Sequence, residues 1–217
     1  MPILKKIEDN VREIYKTNFG KYPLSHDFLH VLRVLRLAER IASEEGLKDE
    51  KEFLALRLAV FLHDIGIAVT GKKEKHAEVS AQLAEQMLRE HGADGELIQL
   101  VCQAIREHSW KLQSRPSTMV SAILQDADRL DALGLIGLIR MYTYSVQLGR
   151  IFYCEKEPIP RQRQPNDRVY TLDHVYVKLI KISEKMNTRA GKNIAEKRMK
   201  KLLEAVKALV EEVQGLD

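Results

Sequence analysis

The stretch Leu56-Arg57-Leu58-Ala59-Val60-Phe61-Leu62-His63-Asp64-Ile65-Gly66 decides how this chain is read, because six apolar residues out of seven run straight into an imidazole and a carboxylate. The apolar density over Glu52–His63 predicts a central helix, and Gly66, two residues beyond Asp64, is expected to stop it. The last turn then carries His63 and Asp64 into the interior. Burying those two groups side by side is costly unless a hydrogen-bond network or a cation compensates. A divalent metal meets that need.

Outward from this run, apolar positions recur at helical spacing. Val31, Leu32, Val34, Leu35, Ala38 and Ile41 form a stripe opposite Arg33, Arg36, Glu39 and Arg40, which predicts a helix over Asp27–Glu45. Gly46 closes it, since glycine takes the left-handed conformation without a Cβ clash. Further helices are expected at about Ala77–Glu90, Gly95–Glu107, Thr118–Asp126, Leu130–Tyr144, Leu172–Met186 and Gly191–Val213. The fold class is all-α, a compact bundle of eight or nine helices. Only Ile151-Phe152-Tyr153 suggests a brief strand-like pairing. Residues 154–170, with Pro158, Pro160, Pro165 and three arginines, form a long polar loop whose length suits a lid or an anion clamp. One domain over 1–217 is expected, with the metal-site core at about 24–145 and C-terminal helices at 171–214 packed against it.

Composition excludes several classes. Across 217 residues, 45% hydrophobic and 30% charged content is that of a folded globular chain. The formal net charge of +4 is too small for bulk attraction to polymeric nucleic acid. Cys102 and Cys154 have neither metal-ligand nor disulfide spacing, which suits a reducing interior. The longest dense apolar stretch is expected at Leu130–Ile139, far below the ~18 residues of a membrane span, and MPILKKIEDN lacks a signal h-region. A cytoplasmic protein with no membrane partner is expected. The Leu133–Ile139 helix can pack inside the domain or against a second copy, leaving a homo-oligomer open.

Imidazole nitrogen beside carboxylate oxygen suits zinc, manganese, iron or magnesium, and the absence of nearby cysteine argues against a thiolate site. Two adjacent residues cannot fill a coordination shell. Further ligands are expected from distant apolar helices: His30 in Phe28-Leu29-His30-Val31-Leu32-Arg33-Val34, and Asp128 in Ile123-Leu124-Gln125-Asp126-Ala127-Asp128-Arg129-Leu130. His26 and His91 receive no role, His91 reading as a helix C-terminus before Gly92. Asp126 reads as solvent-facing, and Asp131 as a negative charge opening the Leu130–Tyr144 helix.

These segments resemble the HD-domain metal-dependent phosphohydrolase superfamily over most of the chain. The stretch from His26 to Val34 is similar to its first-histidine helix, Leu62 to Gly66 to its defining pair, and Gln125 to Ala132 to its final-aspartate motif. Lys75 to Ala81 and Ile105 to Ser109 resemble the segments that supply extra histidines in two-metal members. The resemblance implies that His30, His63, Asp64 and Asp128 hold one ion, with Asp64 bridging to a second held by His76 and His108. After Asp128 the chain is similar to a small single-domain group, some of whose members resemble nucleotide phosphohydrolases. In that comparison His174 and Lys178 lie four apart on one helix face as phosphate contacts. One departure is Ile67, which stands where many phosphodiesterases of the superfamily carry a lysine able to protonate a leaving group.

The expected chemistry is hydrolysis of a phosphate ester or anhydride of a small phosphorylated molecule, a nucleotide, by hydroxide on one or two divalent ions. His63 and Asp64 form its catalytic centre, and Asp64 orients the hydroxide. Arg33, Lys72, Lys178, Arg161 and Arg163 are the basic candidates for the remaining phosphates. Alternatives are a cyclic nucleotide or dinucleotide phosphodiesterase, which Ile67 disfavours, a metal-braced nucleotide sensor without turnover, and an oxygen-activating di-iron enzyme.

Overall fold

The computed structural model describes residues 2–216. Helices are α1 Pro2–Thr17, α2 Phe28–Glu45, α3 Glu50–Leu62, α4 Ile65–Thr70, α5 His76–Glu90, α6 Gly95–His108, α7 Met119–Asp131, α8 Gly134–Gln147, α9 Ile180–Ser183 and α10 Arg189–Val213. No strand occurs among the described residues, and the Ile151-Phe152 stretch makes one isolated parallel bridge, Ile151 to Tyr170. The chain divides into two compact units, Met1–Asp128 with Asn187–Gly191 and Arg129–Met186 with Lys192–Asp217.

In the first unit the helix starts follow from capping chemistry. The side chains of Asp27, Asp49 and Asp94 accept the backbone N–H groups of His30, Glu52 and Leu97, each at 2.8 Å. Gly46 ends α2 at φ 74°, as its sequence position predicts. The centre is α3, where Ala55, Leu56, Leu58, Ala59, Val60, Phe61 and Leu62 are all buried. Each large side chain so placed contributes about 1.5–3 kcal/mol. Around α3 lie α1, α2 and α6, while α5 packs against α4 and α6. Among the described residues Glu50–Thr70, spanning α3 and α4, is the one stretch long and apolar enough by composition to cross a membrane, against the expectation of none, and 72% of its most apolar window lies inside the protein, as befits a core segment.

Several boundaries differ from expectation. The chain breaks between α3 and α4 at His63-Asp64, and Gly66 lies inside α4 rather than stopping a helix. The reason for Gly66 is proximity: a Cβ there would meet the His76 carbonyl oxygen at 2.9 Å and Ser80 N at 3.0 Å, and the Gly66 N–H donates to Ser80 Oγ at 2.9 Å. Gly71, at φ 70°, ends α4 instead. α1 adds a helix that the reading of the chain passed over, with Leu4, Ile7, Val11 and Tyr15 buried at three- and four-residue spacing. α7 runs on to Asp131, so Asp131 ends a helix rather than opening one, and its carboxylate pairs with Arg140 at 2.8 Å.

In the second unit, the region expected as a helix over Leu172–Met186 is a π-helical turn, Val175–Leu179, followed by the short α9. The 154–170 loop is held by its own groups. Glu157 accepts the backbone N–H groups of Arg161, Gln162 and Arg163, and Arg163 forks onto the fully buried Asp173 at 2.5 and 2.6 Å.

Candidate metal centre

Five helices bring their ends to one place. His30 lies in the first turn of α2, His63 follows the last residue of α3, Asp64 precedes α4, His76 begins α5 and His108 ends α6. Asp128, from α7, joins them. His30 and His63 are completely buried, Asp64 and His108 nearly so. Asp128 and His76 keep 25% and 14% of their side chains exposed, so solvent reaches the cluster on those sides.

The carboxylate of Asp64 divides the cluster in two. Its Oδ2 lies 3.6 Å from both His30 Nε2 and His63 Nε2, and those two nitrogens stand 3.3 Å apart. Asp128 Oδ1 completes this side at 3.4 Å from His30 Nε2 and 4.0 Å from His63 Nε2. Asp64 Oδ1 faces the other way, 3.6 Å from His76 Nε2 and from His108 Nε2, which are 3.2 Å from each other. Two donors each ~2.1 Å from one ion and about 100° apart stand roughly 3.2 Å from each other, so these separations fit neighbouring ligands of a divalent ion. His30, His63 and Asp64 form one candidate ligand group, and Asp64, His76 and His108 a second.

Ring orientation adds a chemical argument. Nδ1 of His63, His76 and His108 each lies 2.6–2.9 Å from the carbonyl oxygen three residues earlier, at Val60, Lys73 and Ile105. A carbonyl only accepts, so Nδ1 carries the proton and Nε2 is left with its lone pair, the tautomer found in metal-ligating histidines. In the neutral rings of His76 and His108 two lone pairs then meet across 3.2 Å, an arrangement that needs a proton or a cation between them. Electrostatics agree. Burial pushes His63 down to about 4, keeping it neutral near pH 7. Burial alone would raise Asp64, but the surrounding imidazoles hold its carboxyl well below the usual range. Asp128 is held low in the same way, chiefly by His30. Burial would lower His108, yet the Asp64 carboxylate, 3.6 Å from its Nε2, carries it above its ordinary value.

The remaining predicted residues fall as follows. Arg33 is half-buried one turn beyond His30, and Lys72 is exposed in the turn after α4. In the second unit Arg163 is tied to Asp173, while His174 Nδ1 lies 2.7 Å from Asp167 Oδ2. His174 and Lys178 flank and enter the π-helical turn Val175–Leu179. Ile67 is buried within α4. His91 caps α5, as expected. Asp126 is fully buried, not solvent-facing. It accepts the backbone N–H groups of Asn187 and Thr188 and the Thr188 hydroxyl at 2.7–2.8 Å. This anchor for α7, two residues before Asp128, escaped the sequence because its partners lie some sixty positions away.

The family model for the HD domain matches residues 27–133, from the cap of α2 to just past α7. The uncharacterized protein YpgQ of Bacillus subtilis (strain 168) is 27% identical over 194 residues, 88% of this chain and 86% of its own. An HD-superfamily hydrolase from Bacillus thuringiensis superposes with a TM-score of 0.72 at 26% identity, covering 96% of this chain and 95% of its own. The structure of YpgQ in complex with ADP gives a TM-score of 0.71 at 24% identity, covering 97% and 100% of the two chains. The chain belongs to the HD-domain family of metal-dependent phosphohydrolases. It is a hydrolase with a candidate divalent-metal site at its His and Asp cluster.

Proposed function

We propose that this enzyme hydrolyses a phosphate ester or anhydride of a nucleotide at a two-ion centre, in the cytoplasm. The observation that carries the proposal is the division of Asp64, whose two oxygens face separate imidazole pairs. His30, His63, Asp64 Oδ2 and Asp128 would hold one ion, and His76, His108 and Asp64 Oδ1 the other. Divalent ions bound there lower the pKa of water toward ~7 and neutralise charge that grows on phosphate oxygens. The protein supplies the rest. Carbonyl bonds at Nδ1 fix three of the imidazoles so that Nε2 points inward, and Asp64 stays ionised between the two halves. Burial of His30, His63 and Asp64 keeps bulk water from one side, while the partly open Asp128 and His76 leave a way in for substrate. Arg33 and Lys72 are the cations in this unit proposed to take the remaining phosphate charge.

Nucleotide as the substrate class is supported by the relative YpgQ, which has been crystallised with ADP. Ile67 in place of a lysine speaks against the cyclic dinucleotide alternative. Two free cysteines suit a reducing compartment. The test is to strip the protein with EDTA, reload it with Mn2+, and offer linear and cyclic nucleotides side by side. Release of a phosphate-bearing product from a linear nucleotide, lost to background together with bound metal in His63→Ala, is the expected result. Bound metal with no turnover on the whole panel would make the protein a sensor, and turnover of cyclic substrates alone would make it a phosphodiesterase.

A further inference from the structure

The second unit carries an apolar surface that the chemistry above does not use. Leu135, Ile136, Ile139 and Val146 of α8 are 54%, 38%, 62% and 64% exposed. At 100° per residue they fall within an arc of about 120° together with the half-buried Tyr142 and Thr143, giving one continuous stripe along the helix. The stripe continues past the helix end. Leu148, Ile151 and Phe152 are 49%, 59% and 54% exposed, and the Phe152 ring stands edge-on against Tyr142 at 4.8 Å. The other face of α8 is already spent, with Gly134, Gly137, Met141 and Ser145 buried. A solvated helix would place charge on such a face, yet over residues 135–152 only Arg140 and Arg150 are charged, and Arg140 is turned to Asp131.

We infer that this stripe is the contact face of a homodimer, with α8 and the Leu148–Phe152 segment of one copy seated on the same elements of another. The choice of a second copy rests on area and on self-complementarity. The exposed parts of those seven side chains amount to roughly 700 Å², close to the about 800 Å² that each partner gives to a stable interface. A long stripe of aliphatic side chains with an aromatic at one end matches its own copy under a two-fold axis, which needs no second kind of surface. The patch also exceeds what monomers commonly leave open in one piece.

Sedimentation equilibrium of the full chain from about 1 to 100 µM tests this, alongside the double variant Ile139→Glu, Val146→Glu and a flotation assay with phosphatidylcholine–phosphatidylglycerol vesicles. Both replaced side chains are mostly in solvent, so far-UV circular dichroism of the variant is expected to match the wild type. The expected result is a twofold mass for the wild type that halves in the variant, with no vesicle binding by either. A monomeric wild type overturns the inference, and a monomer that floats with vesicles assigns the stripe to lipid instead. A variant that stays dimeric shows that copies meet through another surface and overturns it as well.

Discussion

His76 and His108 each spend Nδ1 on a backbone carbonyl and turn Nε2 toward the other and toward Asp64 Oδ1. Ion and proton therefore compete for the same nitrogen. His108 holds its proton above the ordinary histidine value, whereas His63 is held down to about 4. As pH falls, the half of the centre containing His108 takes up protons first, so its affinity for Mn2+ is expected to drop at a higher pH than that of the half containing His63. Equilibrium dialysis at pH 8 and pH 6 checks this, and equal losses at both halves would contradict it. Tyr15 gives a second residue-scale prediction. Its hydroxyl is buried without a hydrogen-bond partner, and its ring packs beside those of Tyr22 and Phe28. Removing an orphan of that kind relieves a cost of about 1–3 kcal/mol, so Tyr15→Phe is expected to leave the urea midpoint unchanged or raise it. A lower midpoint would mean the hydroxyl has a partner after all. His30, His63, Asp64 and Asp128 stood out in the sequence as polar residues inside apolar helical runs, whereas His76 and His108 were reached only through the family resemblance. Asp126 was not legible, since two aspartates one residue apart look alike until the distant partner of each is known.

At the level of elements, the site exists because helices stop where their ligands are needed. α4 approaches α5 so closely at Gly66 that a Cβ would press on the His76 carbonyl oxygen and the Ser80 nitrogen, both backbone atoms. Gly66→Ala is expected to cost about 1–3 kcal/mol in chemical denaturation through overpacking, and to weaken metal binding by displacing His76. A neutral result would show that the two helices can separate freely. Asp126→Ala removes the acceptor for two backbone N–H groups and a hydroxyl at Asn187-Thr188. Leaving buried donors unpaired costs about 1–3 kcal/mol each, so a large fall in thermal midpoint is expected, and an unchanged one would contradict the anchor. Periodicity found the helices around the site because each buries one face. It passed over α4, since an apolar run continues through His63-Asp64 into it and only packing against α5 explains Gly66. The π-helical turn at Val175–Leu179 was invisible because its apolar spacing differs little from that of an α-helix.

On the scale of the whole molecule, the two units have separate sources of order. The metal-site unit is built round a polar cluster deep among apolar helices, with four of its groups almost wholly buried. Ion binding is therefore linked to its folding. At a free Mn2+ concentration a hundred times the dissociation constant, the gain is about 2.7 kcal/mol, and for a chain of this size each kcal/mol moves the midpoint by about 2–4 °C. EDTA is expected to lower the thermal midpoint of this unit by several degrees, and Mn2+ to restore it. The second unit has a buried apolar interior of its own and two ion pairs closed within it, Arg163 with Asp173 and Arg140 with Asp131. These were not legible in advance, because an arginine in a polar loop looks the same whether it waits for a ligand or braces the loop.

The central claim is that Asp64 stands between two metal positions, and counting ions tests it most directly. Protein stripped with EDTA, saturated with Mn2+, freed of excess and measured by elemental analysis is predicted to hold two ions per chain, and His76→Ala one. A wild type that retains no ion, or a His76→Ala variant that holds as many as the wild type, would contradict it.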